Sequence, residues 1–389
     1  MVAYNRGKTL VLIMPLSNAG ISSTYELLIK HLRDEILNFW LIRAKDRLGY
    51  KVTFDEAGNY VGEHSKGIVA HSRLIWAFLT AYEFLRDSRY LDFAIHGISC
   101  FLKFWDRNYG GWYWKLDLNG KPIDPNKRLY GQAFALLALA KLYRILKENR
   151  FLDLYIKTLK ILNEKASYKD GFYHEFTKNW KIKDSTPKGC WNMNSLMHFV
   201  EALMEGVKNG ISEAHELLSN VKDFFKETFF EPLGTHIAEY MTFEGNIPKD
   251  YYVVNIGHNL EVSWMFYELD EKDISRKLLE FAINSGWDKD NGGFYEVLFP
   301  YRNMIITDKV WWVQAEALSA LATFKTYDLL VKQISWCLDK QADHKFGEWY
   351  AVCYTDGKVK DPQKGSEWKV CYHNTRGIIK TIISLRNMR

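Results

Sequence analysis

The sequence predicts an all-α fold, an (α/α)6 barrel: a toroid of six helix pairs with short β-hairpins in the loops on one face. Three observations predict it. A Gly-aromatic loop recurs six times, with glycines at 49, 110, 171, 234, 292 and 347, so successive loops lie 61, 61, 63, 58 and 55 residues apart. Between the loops, apolar residues recur at spacings of three and four, the mark of helices. Alternate helices also differ in polarity, as inner and outer members of a ring must.

Taken in order, the helices are expected near 23–46, 65–86, 89–107, 128–147, 150–166, 192–208, 211–228, 255–269, 272–286, 308–325, 326–340 and 367–387. The even-numbered members are the more apolar; Phe134 to Ala140 reads Phe-Ala-Leu-Leu-Ala-Leu-Ala. A helix apolar all round is buried, so these form the inner ring. Odd members such as 150–166, with Lys157, Lys160 and Glu164, carry a solvated face and lie outside. Trp112–Leu118 and Phe294–Leu298 read as strands of small hairpins between helices.

The unbroken repeat makes residues 23–389 one domain, because a cut anywhere would open the ring. With 8 Pro and no Ser/Gly-rich or charge-run linker, the chain shows no boundary. Residues 1–22 are expected to be an N-terminal extension. Arg6 and Lys8 precede the apolar run Leu10–Leu16 and Ser17-Asn18-Ala19, the order of a signal peptide, although the run is short and holds Pro15. Five cysteines with no CxxC spacing point instead to reduced thiols and a cytoplasmic protein.

Hydrophobic content of 47% with 25% charged residues is that of a soluble globular enzyme. The net charge of +5 is spread along the chain without a basic block, which argues against a nucleic-acid partner. No other stretch approaches the ~20 apolar residues of a membrane span. A small carbohydrate is the expected partner, and the chain is expected to be a monomer or weak homodimer. Aromatics reach 15%, with 14 Trp, and many sit in the repeated loops, where they can line a pocket. Packing of the ring's mouth accounts for the remainder.

Unusual polar residues fall in the first turns of the inner helices, on the side where the Gly-aromatic loops arrive. Arg73 lies in the second helix, and Tyr130 and Gln132 open the fourth. Asn194, His198 and Glu201 form one stripe of the sixth helix, and His258 and Glu261 share a face of the eighth. Lys309, Trp311, Trp312, Gln314 and Glu316 open the tenth; Trp368, His373 and Arg376 open the twelfth. A lone histidine on an apolar helix is ordinarily a satisfied core residue. Three from three inner helices, brought by helix polarity to one end of the ring, point to proton transfer. Glu261, one turn after His258, is expected to orient its imidazole.

Metal chemistry is disfavoured by the spacing. His-x-x-Glu occurs at His198/Glu201 and His258/Glu261, the reverse of the Glu-x-x-His of di-metal bundles, and no HExxH is present. No nucleophile elbow or phosphate-cradling glycine loop appears either, so no cofactor and no metal are expected.

At these residues the chain resembles the N-acylglucosamine 2-epimerase superfamily, and within it the cellobiose 2-epimerases, from about Tyr25 to Leu385. The matching stretches are Lys66–Trp76, Gly111–Trp114, Tyr130–Phe134, Met193–His198 with Glu201, Gly257–Glu261 with Trp264, Lys309–Glu316 and Trp368–Arg376. The resemblance implies inversion of an aldose at C2, or its conversion to a ketose, without metal or nucleotide. His258 and His373 would be the acid/base pair on opposite faces of C2, while Arg73 and His198 stabilise the enediolate. Tyr130, Asn194 and Glu261 would support the site. Trp312 and Trp368 would stack on the sugar, with Trp311 and Glu316 beside them in the substrate site.

The chemistry suits these residue types. The C2 proton of an open-chain aldose is α to the aldehyde, so its removal gives a cis-enediolate. Inversion needs a proton taken on one face and returned on the other, work for two groups titrating near neutrality. The leading expectation is a 2-epimerase of β-1,4-linked disaccharides. A mannose–fructose isomerase, an N-acylglucosamine 2-epimerase and a toroid that only binds glycans are the alternatives.

Overall fold

The computed structural model describes residues 18–169, 171–183 and 187–388. Of the expected extension, residues 1–17 lie outside the described residues. Residues 18–22 instead belong to the first helix, which begins at Asn18 and not at 23, with Ile21 buried. That helix, α1 (Asn18–Lys30), runs through a π-helical stretch (His31–Leu37) into α2 (Asn38–Arg43). Next come α3 (Ile68–Leu85), α4 (Ser88–Phe101), α5 (Leu129–Leu146) and α6 (Asn149–Lys165). They are followed by α7 (Met193–Lys208), α8 (Glu213–Phe225), α9 (Ile256–Glu268) and α10 (Lys272–Gly286). The chain ends with α11 (Trp311–Thr323), α12 (Tyr327–Trp336) and α13 (Tyr372–Arg386).

The apolar helices pack in cyclic order: α3 on α5, α5 on α7, α7 on α9, α9 on α11, α11 on α13, and α13 back on α3. Outside them α4 lies on α3, α6 on α5, α8 on α7, α10 on α9, α12 on α11 and α1 on α13. Composition explains the two layers. In α5 every residue from Gly131 to Leu142 is buried, whereas α6 buries the stripe Phe151, Tyr155, Thr158, Leu159 and Leu162 and leaves Lys157, Lys160 and Glu164 in water. Among the described residues α5 is long and apolar enough for a membrane span, but its surface is already occupied by protein.

Most inner helices are entered through a short strand that pairs with a hairpin from the following repeat. Lys66–Gly67 pairs with Lys115–Leu116, Cys190–Asn192 with Tyr240–Thr242, and Val254–Asn255 with Val297–Phe299. The strands are shorter than expected and begin a few residues later, because the preceding aromatics pack inward: Trp112 and Phe294 are fully buried.

A Lys–Asp pair with a fully buried lysine recurs with the repeat: Lys66–Asp46 at 2.8 Å, Lys127–Asp106 at 2.8 Å, Lys309–Asp288 at 3.0 Å and Lys364–Asp343 at 2.9 Å. Gln132 and Gln314 each clasp the loop backbone, donating to and accepting from Trp112 and Phe294 respectively. These polar residues at the helix starts therefore hold the loops and take no part in the pit. Gly111 and Gly293 allow the clasp. Both have positive φ, and a Cβ on Gly293 would sit 3.0 Å from the Gln314 oxygen.

Candidate active site

Side chains from the first turns of all six inner helices, together with Trp368 just ahead of α13, line one cavity of about 180 Å³: Arg73, Tyr130, Asn194, His198, His258, Glu261, Trp311, Trp312, Trp368 and His373. The helix starts are set locally. Asn255 caps α9 by accepting from the amides of Gly257 and His258, and Asn192 caps α7 through the Ser195 amide. Helix N-termini facing one pit give it a positive potential suited to an anionic intermediate.

The three histidines expected to meet do so, each with Nδ1 on a carboxylate. His198 pairs with Glu201 at 2.8 Å, His258 with Glu239 at 2.6 Å and His373 with Glu316 at 2.7 Å. A carboxylate at Nδ1 holds the proton there and leaves Nε2 as the basic nitrogen, without a hydrogen bond among the described residues. The rings of His258 and His373 lie 4.9 and 5.8 Å from that of Trp312. Burial lowers the His198 imidazole to about 4 and that of His373 to about 3, against the opposing pull of their carboxylates. By contrast His71, in the same matching stretch, has both nitrogens on backbone groups of Tyr50 and Gly67 and is a core residue.

Three expectations are corrected. Glu261 does not orient His258; its Oε1 accepts from Arg376 Nη2 at 2.6 Å, and the partner of His258 is Glu239. The i, i+3 spacing puts two side chains on one face, yet here they diverge toward different neighbours. Glu316 is not among the cavity residues. It lies behind His373, fully buried, accepting from His373, Trp264 and Arg376. Trp368 precedes α13, which starts at Tyr372, and so stands at the mouth with 44% of its surface exposed.

Beneath the cavity Arg376 gathers three carboxylates, Glu201, Glu261 and Glu316, with the Tyr372 hydroxyl between Arg376 and Glu201. Arg376 and His198 bring the Glu201 carboxyl down to about 2 although burial pushes it up, and Arg376 and His373 do the same for Glu316. Arg73 is fixed by donation to the Trp368 carbonyl at 2.8 Å and to the Tyr130 hydroxyl at 2.7 Å, over the Phe134 ring. Glu239 and Tyr372 were not legible as site residues, whereas Arg376, one turn after His373, stood out at the start of the last helix. Glu239 lies in a loop without periodicity, which leaves it no signal.

Two triplets, His198/Glu201/Glu261 and Glu261/Glu316/His373, bring ligand-type atoms within 4.8 Å of one another. The Arg376 guanidinium already binds the carboxylates of both, so it takes the place a cation would fill. Four of the cavity residues, Arg73, Asn194, Glu261 and Trp311, keep a buried polar atom without a protein partner, which suits a ligand rich in hydroxyls. A larger space of about 820 Å³ lies at the C-terminal ends of the inner helices, divided from the site by Glu201 and Arg376. Its charged residues are largely paired, as Lys141 with Glu83 and Lys380 with Glu268, and no histidine lines it.

The chain is 26% identical to a cellobiose 2-epimerase of Dictyoglomus turgidum, over 91% of this chain and 97% of the relative. It is 25% identical to a D-mannose isomerase of Marinomonas mediterranea, over 84% and 88%. The solved cellobiose 2-epimerase of Spirochaeta thermophila superposes with a TM-score of 0.87 at 21% identity, covering 96% of this chain and all of that one, which shows a common fold. The family model of N-acylglucosamine 2-epimerase (GlcNAc 2-epimerase) matches residues 49–376, a span containing every histidine, carboxylate and tryptophan of the cavity. The chain belongs to the N-acylglucosamine 2-epimerase family.

Proposed function

We propose that the protein is a carbohydrate 2-epimerase that inverts C2 of the reducing-end glucose or mannose of β-1,4-linked disaccharides. Its scaffold is an (α/α)6 barrel, a reading supported by the cyclic packing of α3, α5, α7, α9, α11 and α13. The observation that carries the activity is the placement of His258 and His373, each with Nδ1 on a carboxylate, on two helices facing one cavity.

In this reading one imidazole Nε2 takes the C2 proton of the open-chain sugar and the other returns a proton from the opposite face. The cis-enediolate between these steps is stabilised by Arg73, held rigid by Tyr130, and by His198. Trp312 packs against the reacting sugar. The exposed Trp368 offers a stacking face at the mouth of the cavity for a second ring, which favours a disaccharide over a monosaccharide.

Separate reactions of cellobiose, mannobiose and mannose in D₂O test the proposal. Deuterium at C2 of the epimer is expected. Label at C1 of a ketose as the main product, with no turnover of cellobiose or mannobiose, would replace this reading by that of a monosaccharide isomerase.

A further inference from the structure

The three carboxylates on Arg376 are unequally served. Glu201 accepts from His198, Tyr372 and Arg376, and borders the 820 Å³ space on its far side. Glu316 accepts from His373, Trp264 and Arg376. Among the described residues Glu261 accepts from Arg376 alone, and its Oε2 is buried without a partner in a residue that lines the active-site cavity.

All four side chains are buried, and three ionised carboxylates around one guanidinium would leave two uncompensated negative charges. Removing charges from water without compensation is costly, and a buried group responds by taking a proton. Its neighbours identify the group. From α7 come Glu201 and His198, from α11 Glu316, from α13 Arg376, Tyr372 and His373, from α3 Arg73, from α5 Tyr130, and on its own helix His258. Of these carboxylates, Glu261 has the fewest donors.

We propose that Glu261 stands as a neutral carboxylic acid in the free protein and donates its Oε2 hydrogen to the sugar oxygen that becomes negative in the enediolate. The proton is shared and not transferred, so the proton count of the two imidazoles is unchanged. Burial and the neighbouring Glu316 and Glu201 raise the Glu261 carboxyl well above the usual range, in agreement with the donor count. A carboxylic acid kept neutral in an apolar site is a strong donor to an oxyanion. The role in catalysis rests on the epimerase reading; the resting state of Glu261 does not.

Infrared difference spectra of wild type minus Glu261→Gln, taken near neutral pH without sugar, test the resting state. A protonated-carboxyl band lost in the variant is expected, and a lost carboxylate band in its place would overturn the proposal. Kinetics on cellobiose test the donor role. Glu261→Gln keeps an N–H donor of the same shape and should hold kcat within about tenfold, whereas Glu261→Ala should lose about 10²–10³. Equal, deep losses in Gln and Ala would overturn the donor role. If the band is present but no sugar is epimerised, the epimerase reading fails while the neutral Glu261 stands.

Discussion

His258 Nδ1 lies 2.6 Å from a carboxylate oxygen of Glu239, a residue outside the helix that carries the histidine. The amide of Glu239 donates to Val253 and its carbonyl accepts from Met193, so the loop is tied both to the entry of α9 and to the start of α7. One carboxylate thus selects the His258 tautomer from a neighbouring repeat.

Glu239→Ala should therefore lower kcat by roughly 10²-fold, because a freely rotating imidazole presents Nε2 in the wrong tautomer or direction. Thermal unfolding of the variant should match wild type, since the Glu239 side chain is partly exposed at the mouth. Unchanged kcat in a folded Glu239→Ala protein would remove this residue from the mechanism.

His258→Ala and His373→Ala should each reduce turnover at least ~100-fold while circular dichroism stays that of wild type, in line with the usual contribution of general acid–base groups. A two-base mechanism does not survive near-full activity in either variant.

Activity should persist after exhaustive chelation, because Arg376 occupies the position between the carboxylates that a cation would need. The measurement is the rate after dialysis against EDTA. Loss of rate, restored by a single divalent ion, would turn the histidines from proton carriers into ligands.

Glu35 accepts from His31 at 2.9 Å and from His344 at 2.8 Å, and so joins the first helix to the loop after α12. Burial opposes ionisation of Glu35, but the two imidazole bonds bring it down to about 2. The bond to Glu35 in turn raises His344 above its ordinary value. The raised His344 contributes stability in full below the unfolded histidine pKa of ~6.5, and that share is lost as pH rises through the folded value. The Glu35 share is present above its unfolded pKa and lost as pH falls through about 2. His344→Ala should accordingly lower Tm more near pH ~5.5 than near pH ~8.5. An equal loss at both values would show that the contact is not ionic.

Much of the fold and half of the site were legible in the chain. The apolar period marked α5 and its fellows as inner helices, because a helix without a polar face must be buried, and that property is local. It also placed Arg73, Asn194, His198, His258 and His373 at helix starts on one side, and helices sharing a ring direction bring their starts together. The period says which face and which end a side chain occupies. It is silent on which neighbour stands within 3 Å, since that neighbour comes from another repeat. The tertiary packing alone decided that His258 takes Glu239 and not Glu261, that Glu316 backs His373, and that Arg376 gathers Glu201, Glu261 and Glu316 below the pit. The buried charges of that cluster pair with whatever the packing brings within reach, because leaving them unpaired costs more than any local preference can offset.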